Sequence, residues 1–474
     1  MLVWLLLVPL AAILLLNLPY ADALRRRAFT LGIAIALLQA IVVVLQPLSW
    51  WNSPSPAGRF MALNHQAGAL SQVMLLSIGL AVFAAISVGR STLGQEGKPY
   101  HFVNVVLASL IGMNGAVLVT DLFSLYVFIE IVSVTSFVLI AFSRGRLALE
   151  GAFTYIVMSI VASVLMLSGT ALLMMVAGST GFSAVHGALK ASGGSTLAKI
   201  AIGAFVCGLF VKGGLVPFHG WVLGAYSAAP SAASVLLAGI ATKVSGIYGL
   251  IRLTTTVFPP SAALNDVLML VGTVSIIVGA LAALTQQDIK RMLAYSSISQ
   301  VGYIVLGLGC GTALGVAGAV FHLFNHCILK SLLFVNASAL EQRVGTTNMQ
   351  RMGGLGTPMP VTGVSSLVAC LSTAGVPPFS GFWSKLIIVL ALWQAQHRTY
   401  ALIAILLSVL TLAYLLVLQR KVFFGKVSQE LAALREAGAG LAVPELVLAA
   451  ITILLGLLFP LLLDSFLVPI GGIL

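Results

Sequence analysis

The sequence predicts an all-α polytopic membrane protein of about 14 transmembrane helices, each needing roughly 20 apolar residues. Of the 474 residues, 60% are hydrophobic and only 8% are charged, whereas a soluble domain carries about 25% charged residues. Apolar runs long enough to cross a bilayer begin near positions 2, 29, 69, 101, 121, 150, 196, 231, 264, 290, 313, 358, 399 and 443. Between these runs the basic residues alternate. Arg25, Arg26, Arg27, Arg90, Lys98, Arg144, Arg146, Lys290, Arg291, Arg343, Arg351, Arg420, Lys421, Lys426 and Arg435 fall in odd-numbered loops, 15 of the 24 Lys and Arg. Even-numbered loops and their helix ends hold only Arg59, Lys190, Lys199, Arg252 and Arg398. Basic loops stay in the cytoplasm. The chain is therefore expected in the cell's inner (cytoplasmic) membrane, multi-pass, with both termini on the non-cytoplasmic side. The net charge of +12 then reads as a topology signal, not as a nucleic-acid surface.

The first run, Met1 to Asn17, lacks a basic start and a small-residue cleavage site, so it reads as the first span and not as a leader. The longest polar stretches are Gln46 to Gln66, Gly178 to Leu197 and Lys421 to Gly440, and the last contains a short helical candidate, Val427 to Glu436. The four cysteines lie far apart inside apolar runs with no CxxC pair. They read as small core residues, without disulfide, iron–sulfur or zinc chemistry. Gly214-Leu215-Val216-Pro217-Phe218-His219-Gly220 matches Gly375-Val376-Pro377-Pro378-Phe379-Ser380-Gly381 at five of seven positions, counting Leu215 with Val376, at an offset of 161 (375 − 214). Proline removes a backbone donor and clashes with the preceding turn. Gly214 and Pro217, and Gly375, Pro377 and Pro378, are thus expected to break helices 7 and 12. Paired breaks at membrane depth point to a transporter built from internal repeats. The resulting organisation is an N-terminal three-helix segment (1–100), a first repeat of helices 4–8 (101–256), a second repeat of helices 9–13 (257–422), and a cytoplasmic loop with the final helix (423–474). Five helices per repeat, an odd number, make the two copies inverted.

Four lysines remain well inside spans: Lys212, Lys243, Lys330 and Lys385. Among the 12 acidic residues only Glu130 reads as deep, about 13 Å into its span at 1.5 Å per residue. Each such charge costs at least about 2.5–3.5 kcal/mol on insertion scales, so pairing, hydration or function has to retain it. Snorkelling to an interface is the plain alternative for Lys330. His322, His326 and Lys330 recur at i, i+4, i+8 and share one helical face. Histidine titrates near neutrality and suits a proton relay; satisfied core histidines or a metal pair are the alternatives, and no third ligand is evident. His219, just past the first break, offers either access for protons or a cap for exposed backbone. Glu130 and Lys212 are expected to form a switchable ion pair about 7 Å apart.

These residues carry a family resemblance. The segments Asp121 to Glu130, Val211 to Trp221, and Phe321 to His326 with Lys330 and Ser331 resemble the antiporter-like subunits of Mrp-type sodium/proton antiporters, respiratory complex I, and energy-converting membrane-bound hydrogenases and formate hydrogenlyases. The resemblance covers nearly the whole chain. It implies 14 helices, two inverted five-helix repeats, discontinuous helices 7 and 12, and proton transfer along a hydrated axis. The family's fifth-helix glutamate falls on Glu130, its seventh- and eighth-helix lysines on Lys212 and Lys243, and its twelfth-helix lysine or glutamate on Lys385. The eleventh-helix pattern is closer to the Mrp and hydrogenase branch, and the ending argues against the subunit type with a long lateral helix.

The expected function is that of a proton-translocating subunit, with sodium/proton exchange left open, in a multisubunit ion-pumping complex. Its partners are other membrane subunits and the lipid bilayer, with no nucleic acid. No cofactor or metal is expected, and no redox or hydrolytic chemistry in this chain itself. The alternative is a membrane scaffold or docking subunit, including a partner for inorganic-carbon uptake, without ion transport of its own. Single cysteines placed at Ser53 and at Ser428 should react with an impermeant maleimide from opposite sides of the membrane. Reaction of both from one side rejects the topology.

Overall fold

The computed structural model describes residues 2–19, 21–46, 68–93, 99–191 and 194–462. The loop at Arg59, the proposed label at Ser53, Lys98 and the last twelve residues lie outside the described residues. The helices at the expected span positions are α1 (Trp4–Leu16), α2 (Ala28–Leu45), α3 (Gly68–Thr92), α4 (Pro99–Leu118), α5 (Leu122–Ile140) and α6 (Arg146–Ala177). Next come α7, in two parts (Thr196–Gly213 and Gly220–Ala228), and α8 (Ser231–Thr256). They are followed by α9 (Ala262–Leu284), α10 (Ile289–Gly309), α11 (Ala313–Val344), α12 in two parts (Pro360–Ala374 and Ser380–Gln394), α13 (Arg398–Val422) and α14 (Ala439–Leu457). Twelve of the described helices are long and apolar enough to cross a membrane; α1 and the two parts of α12 are shorter.

Two polar stretches differ from expectation. Residues 178–197 contain an amphipathic helix, Phe182–Ala191, whose Phe182, Val185 and Leu189 are buried. Their i, i+3, i+7 spacing is the signature that the surrounding polar residues masked. The helix expected over Val427 to Glu436 is reduced to one turn, Gln429–Ala432. Glu436 instead turns back and accepts from the backbone N–H of Val361 (2.6 Å) and Thr362 (3.3 Å) at the start of α12. A carboxylate there satisfies orphan donors and the positive end of the helix dipole.

The helices form concentric layers. Every residue of the 18-residue apolar cores of α8 and α11 is buried, and those of α3 and α10 are nearly so, while α2, α6, α13 and α14 leave most residues of theirs at least partly exposed. That order decides where polar residues fit. A helix facing lipid must be apolar around its rim, whereas one enclosed by other helices can carry charge if its neighbours satisfy it.

A second structural repeat goes beyond the paired breaks. Helices α6 and α11 are each 32 residues long and displaced by 167 positions (313 − 146). At the same displacement, Asp121 and Asp288 cap α5 and α10, accepting from Ser124 N (2.7 Å) and Arg291 N (2.9 Å). Isolated bridges join Asp121 to Gly181 and Asp288 to Asn348. The short α5–α6 and α10–α11 units are therefore built by the same local rules.

Both breaks begin at a glycine in the left-handed region, Gly214 (φ 67°) and Gly375 (φ 87°), a conformation that costs any residue with a Cβ. Leu215 N then reaches back to Phe210 O (3.1 Å) and Val376 N to Leu371 O (3.0 Å), closing each half-helix. Glycine ends the helix here, and the prolines occupy the linker that follows. The peptides before Pro217 and Pro378 are cis.

Close to the first break, α8 departs from α-helical geometry over Leu237–Ala241 and Lys243–Tyr248, which are π-helical. A π stretch widens the helix and is frequent at functional sites. Here it brings Gly246 against α7: a Cβ on Gly246 would run into the backbone N and Cα of Gly213. Backbone cannot yield as a side chain does, and overpacking costs about 1–3 kcal/mol. Gly246→Ala should therefore lower the melting temperature of the detergent-solubilised protein, and a variant that melts with the wild type refutes the contact.

Candidate functional site

Of the ionisable residues singled out in the spans, those on α7, α8, α11 and α12 come to lie in the buried interior, and Glu130 on α5 is half-buried beside them. Lys212 occupies the last turn before the break in α7, where the negative end of a helix dipole favours a cation. Its Nζ lies 2.9 Å from Glu130 Oε1 and donates to the hydroxyls of Ser133 (2.6 Å), Ser159 (2.7 Å) and Ser163 (3.3 Å). Ser163 Oγ in turn donates to Glu130 Oε1 at 2.6 Å. The 7 Å expected for this pair is thus replaced by direct contact. Coulomb attraction varies inversely with distance, so the pair is held roughly twice as strongly as expected. The Lys212 side chain is 3% exposed and that of Glu130 28%, which puts the acid at the rim of the bundle and the lysine inside it.

Lys243 sits in the π-helical stretch of α8 and is 1% exposed. Its Nζ donates to Tyr226 OH (3.3 Å), Thr242 Oγ1 (3.1 Å), Ser297 Oγ (3.2 Å) and the carbonyl of Ala238. Ser297 on α10 is also 3.3 Å from His326 Nε2. Lys243, Ser297 and His326 consequently form one hydrogen-bonded bridge from α8 through α10 to α11.

Lys330 is fully buried, so snorkelling is excluded. It donates to Ser296 Oγ (2.7 Å) and Leu293 O (3.2 Å), and Tyr414 OH on α13 donates to the same Ser296 (2.9 Å). One turn from His326, His322 Nδ1 is 2.9 Å from Ser384 Oγ. The next residue on α12 is Lys385, which reaches back across the break to Thr373 O (2.8 Å) and Ala374 O (3.4 Å) and to Ser408 Oγ (3.3 Å). Its ammonium stands 4.6 Å from the centre of the Tyr303 ring, a cation–π contact. Lys385 thus caps the carbonyls that the broken helix leaves without partners.

His219 is the residue preceding the second part of α7, yet its side chain makes no capping bond, and its Nδ1 is buried without a partner. A backbone hydrogen bond to Pro217 in the linker still ties the His219 ring to the break. Between Lys212 and Lys243 the bonds are not continuous among the described residues. Among those same residues no three of His, Cys, Asp or Glu gather as a metal set.

Several groups escaped the sequence reading. Ser159 and Ser163 hold Lys212, and 167 positions on, the same faces of α11 carry His326 and Lys330. Aligning the two 32-residue helices would have found them. Tyr226, Tyr303, Ser384, Ser408 and Tyr414 come from other elements and carry no sequence signal. Glu130 is not the sole deep acid: Glu445 on α14 is fully buried, within 3.3 Å of Thr362 Oγ1. Lys290, assigned to a loop, begins α10 and is buried in an ion pair with Glu341 at 2.6 Å.

The transmembrane family model described as NADH:quinone oxidoreductase/Mrp antiporter matches residues 119–411. This chain belongs to that family. It is 32% identical over 430 residues to a Na(+)/H(+) antiporter subunit of Alkalihalophilus pseudofirmus, covering 90% of this chain and 85% of that one. It is 33% identical over 401 residues to an NADH-quinone oxidoreductase subunit of Desulforudis audaxviator, covering 82% and 79%. Its fold is similar to a chain of the membrane-bound sulfane sulfur reductase, an archaeal respiratory membrane complex, with a TM-score of 0.89 and 27% identity over 100% of this chain and 97% of that one. The matched region spans both breaks and all seven interior ionisable groups first singled out.

Glu130→Gln removes the carboxylate charge at almost constant volume and leaves the hydroxyls around Lys212 in place. The folded fraction should survive and ion flux fall. A variant that melts early but whose remaining folded molecules transport normally reduces the pair to a static strut.

Proposed function

We propose that this family member is a proton-translocating subunit, with sodium/proton exchange as the alternative stoichiometry, of a multisubunit ion-pumping membrane complex. The observation that carries the reading is the Lys243–Ser297–His326 bridge. It joins the last helix of the first proposed repeat to two helices of the second through groups that can hold and pass a proton. Glu130 and Lys212 stand at one end of the proposed path, and His322, Lys330 and Lys385 at the other. Water completes it. His322 Nε2, His326 Nδ1, Ser331 Oγ and both polar atoms of Gln300 are buried without protein partners. Leaving such a group unsatisfied costs about 1–3 kcal/mol, so hydration of this interior is favoured over dryness.

The same proposal includes 14 spans, counting α1 and the two parts of α12 as membrane-crossing. It includes two inverted five-helix repeats at 101–256 and 257–422, supported by the paired breaks and the matched α5–α6 and α10–α11 units. It places the protein in the inner membrane with the basic loops in the cytoplasm and the termini opposite, supported by the distribution of basic residues. The relatives named above are subunits of an antiporter and of a quinone oxidoreductase, so neighbouring membrane subunits are the partners assigned here.

Lys243→Ala and Lys385→Ala should each reduce proton flux in reconstituted vesicles by about 100-fold or more, the usual weight of a positioned proton-transfer group, while subunit stoichiometry stays that of the wild type. A scaffold predicts normal flux or loss of the whole complex. Full flux in both assembled variants rejects the relay.

A further inference from the structure

A cavity of about 400 Å³ opens at the end of the bundle that carries Arg90 and Arg144. Ser143, Ser227, Ser231, Lys290, Ser338 and Glu341 line it, and Lys290 and Glu341 are the only charged residues on it among the described residues. Lys290 is 3% exposed and Glu341 37%, so the carboxylate meets water and the ammonium is sealed behind it. Ser231, the first residue of α8, joins both: its hydroxyl donates to Glu341 Oε2 and accepts from Lys290 Nζ at 3.2 Å.

Two helical faces lead inward from here. On α11, Glu341, Ser338, Phe334 and Lys330 follow one another at intervals of three and four residues, one face of the helix covering about 16 Å at 1.5 Å per residue. On α10, Lys290, Leu293 and Ser297 do the same, and Leu293 O and Ser297 Oγ already contact Lys330 and Lys243. Only Phe334 interrupts the first face. It is fully buried and meets the Tyr226 ring edge-on at 5.9 Å, and the Tyr226 hydroxyl touches Lys243.

We propose that this cavity is the site where protons are loaded from water, with Glu341 as the acceptor, Lys290 as its ion-pair partner, and Phe334 with Tyr226 as the dry barrier before the relay. The inference rests on the relay reading given above and adds its aqueous end. A proton from water binds the Glu341 carboxylate and breaks the pair with Lys290. When the two rings part, it passes through admitted water to the amine of a deprotonated Lys330, and the carboxylate is regenerated.

The test uses the whole complex in vesicles, with Lys243→Ala measured beside it. Glu341→Gln, and the double variant Lys290→Met with Glu341→Gln, should each lower flux about tenfold or more. The double variant leaves no unpaired buried charge, so a pair that merely pins α8, α10 and α11 together predicts recovery of near wild-type flux there. Such recovery, with Lys243→Ala inactive, overturns the loading site alone. A fully active Lys243→Ala overturns the relay reading and this proposal with it. Should the double variant fail to assemble, Ser338→Cys decides. An impermeant thiol reagent applied from the basic-loop side should label it and block flux, and absent labelling, or labelling with flux intact, rejects the proposal.

Discussion

The structure is organised by the cost of holding four lysines inside a protein that lipid surrounds. Each ammonium needs partners the bilayer cannot supply, and among the described residues only one of the four has a carboxylate, Glu130 against Lys212. The other three are held by carbonyls and hydroxyls. Lys385 takes the carbonyls released where α12 breaks, and Lys243 takes a carbonyl and three hydroxyls in a π-helical stretch. Lys330 takes a carbonyl and a serine on α10. Irregular backbone therefore receives two of the cations, Lys243 and Lys385, because a regular helix has already spent its carbonyls on its own N–H groups, whereas Lys330 shares the Leu293 carbonyl of regular α10.

The paired units show how one framework was adapted to two uses. At matched positions α6 carries Ser159 and Ser163 where α11 carries His326 and Lys330, and α5 carries Glu130 where α10 carries Ser297. In the first unit the serines hold a lysine delivered by α7 against an acid. In the second, the titratable groups belong to α11 itself and the acid is absent. The proposed relay thus runs from a lysine paired with an acid to lysines held by carbonyls and hydroxyls, with Ser297 as the link.

Burial separates the two kinds of function-bearing position. Glu130 and Glu341 are partly exposed at the edge of the bundle or in a cavity, while Lys212, Lys243, Lys290 and Lys330 lie behind them. In these two ion pairs the acid lies outside and the lysine inside, the order expected when water can screen the carboxylate but the long, flexible lysine stem must carry charge into the protein.

The sequence by itself determined the span order, the two breaks and the identity of the interior lysines and histidines. Those signals are local: apolar length, Gly–Pro chemistry, and charge standing where only apolar residues are cheap. Tertiary structure decided the rest. Whether Glu130 touches Lys212 or stands apart, and that Ser297 links Lys243 to His326, depends on the packing of helices tens to hundreds of residues apart. Lys290 looked like a loop residue because it begins a helix beside other basic residues, and only the fold shows Glu341 and Ser231 closing over it. Glu445 escaped notice because it stands only six residues into its helix, where sequence depth suggests water and packing against Thr362 instead removes it from solvent. A charge's cost can be read from its position along a span. Its partner cannot, because partners are chosen by contact between helices and not by spacing within one.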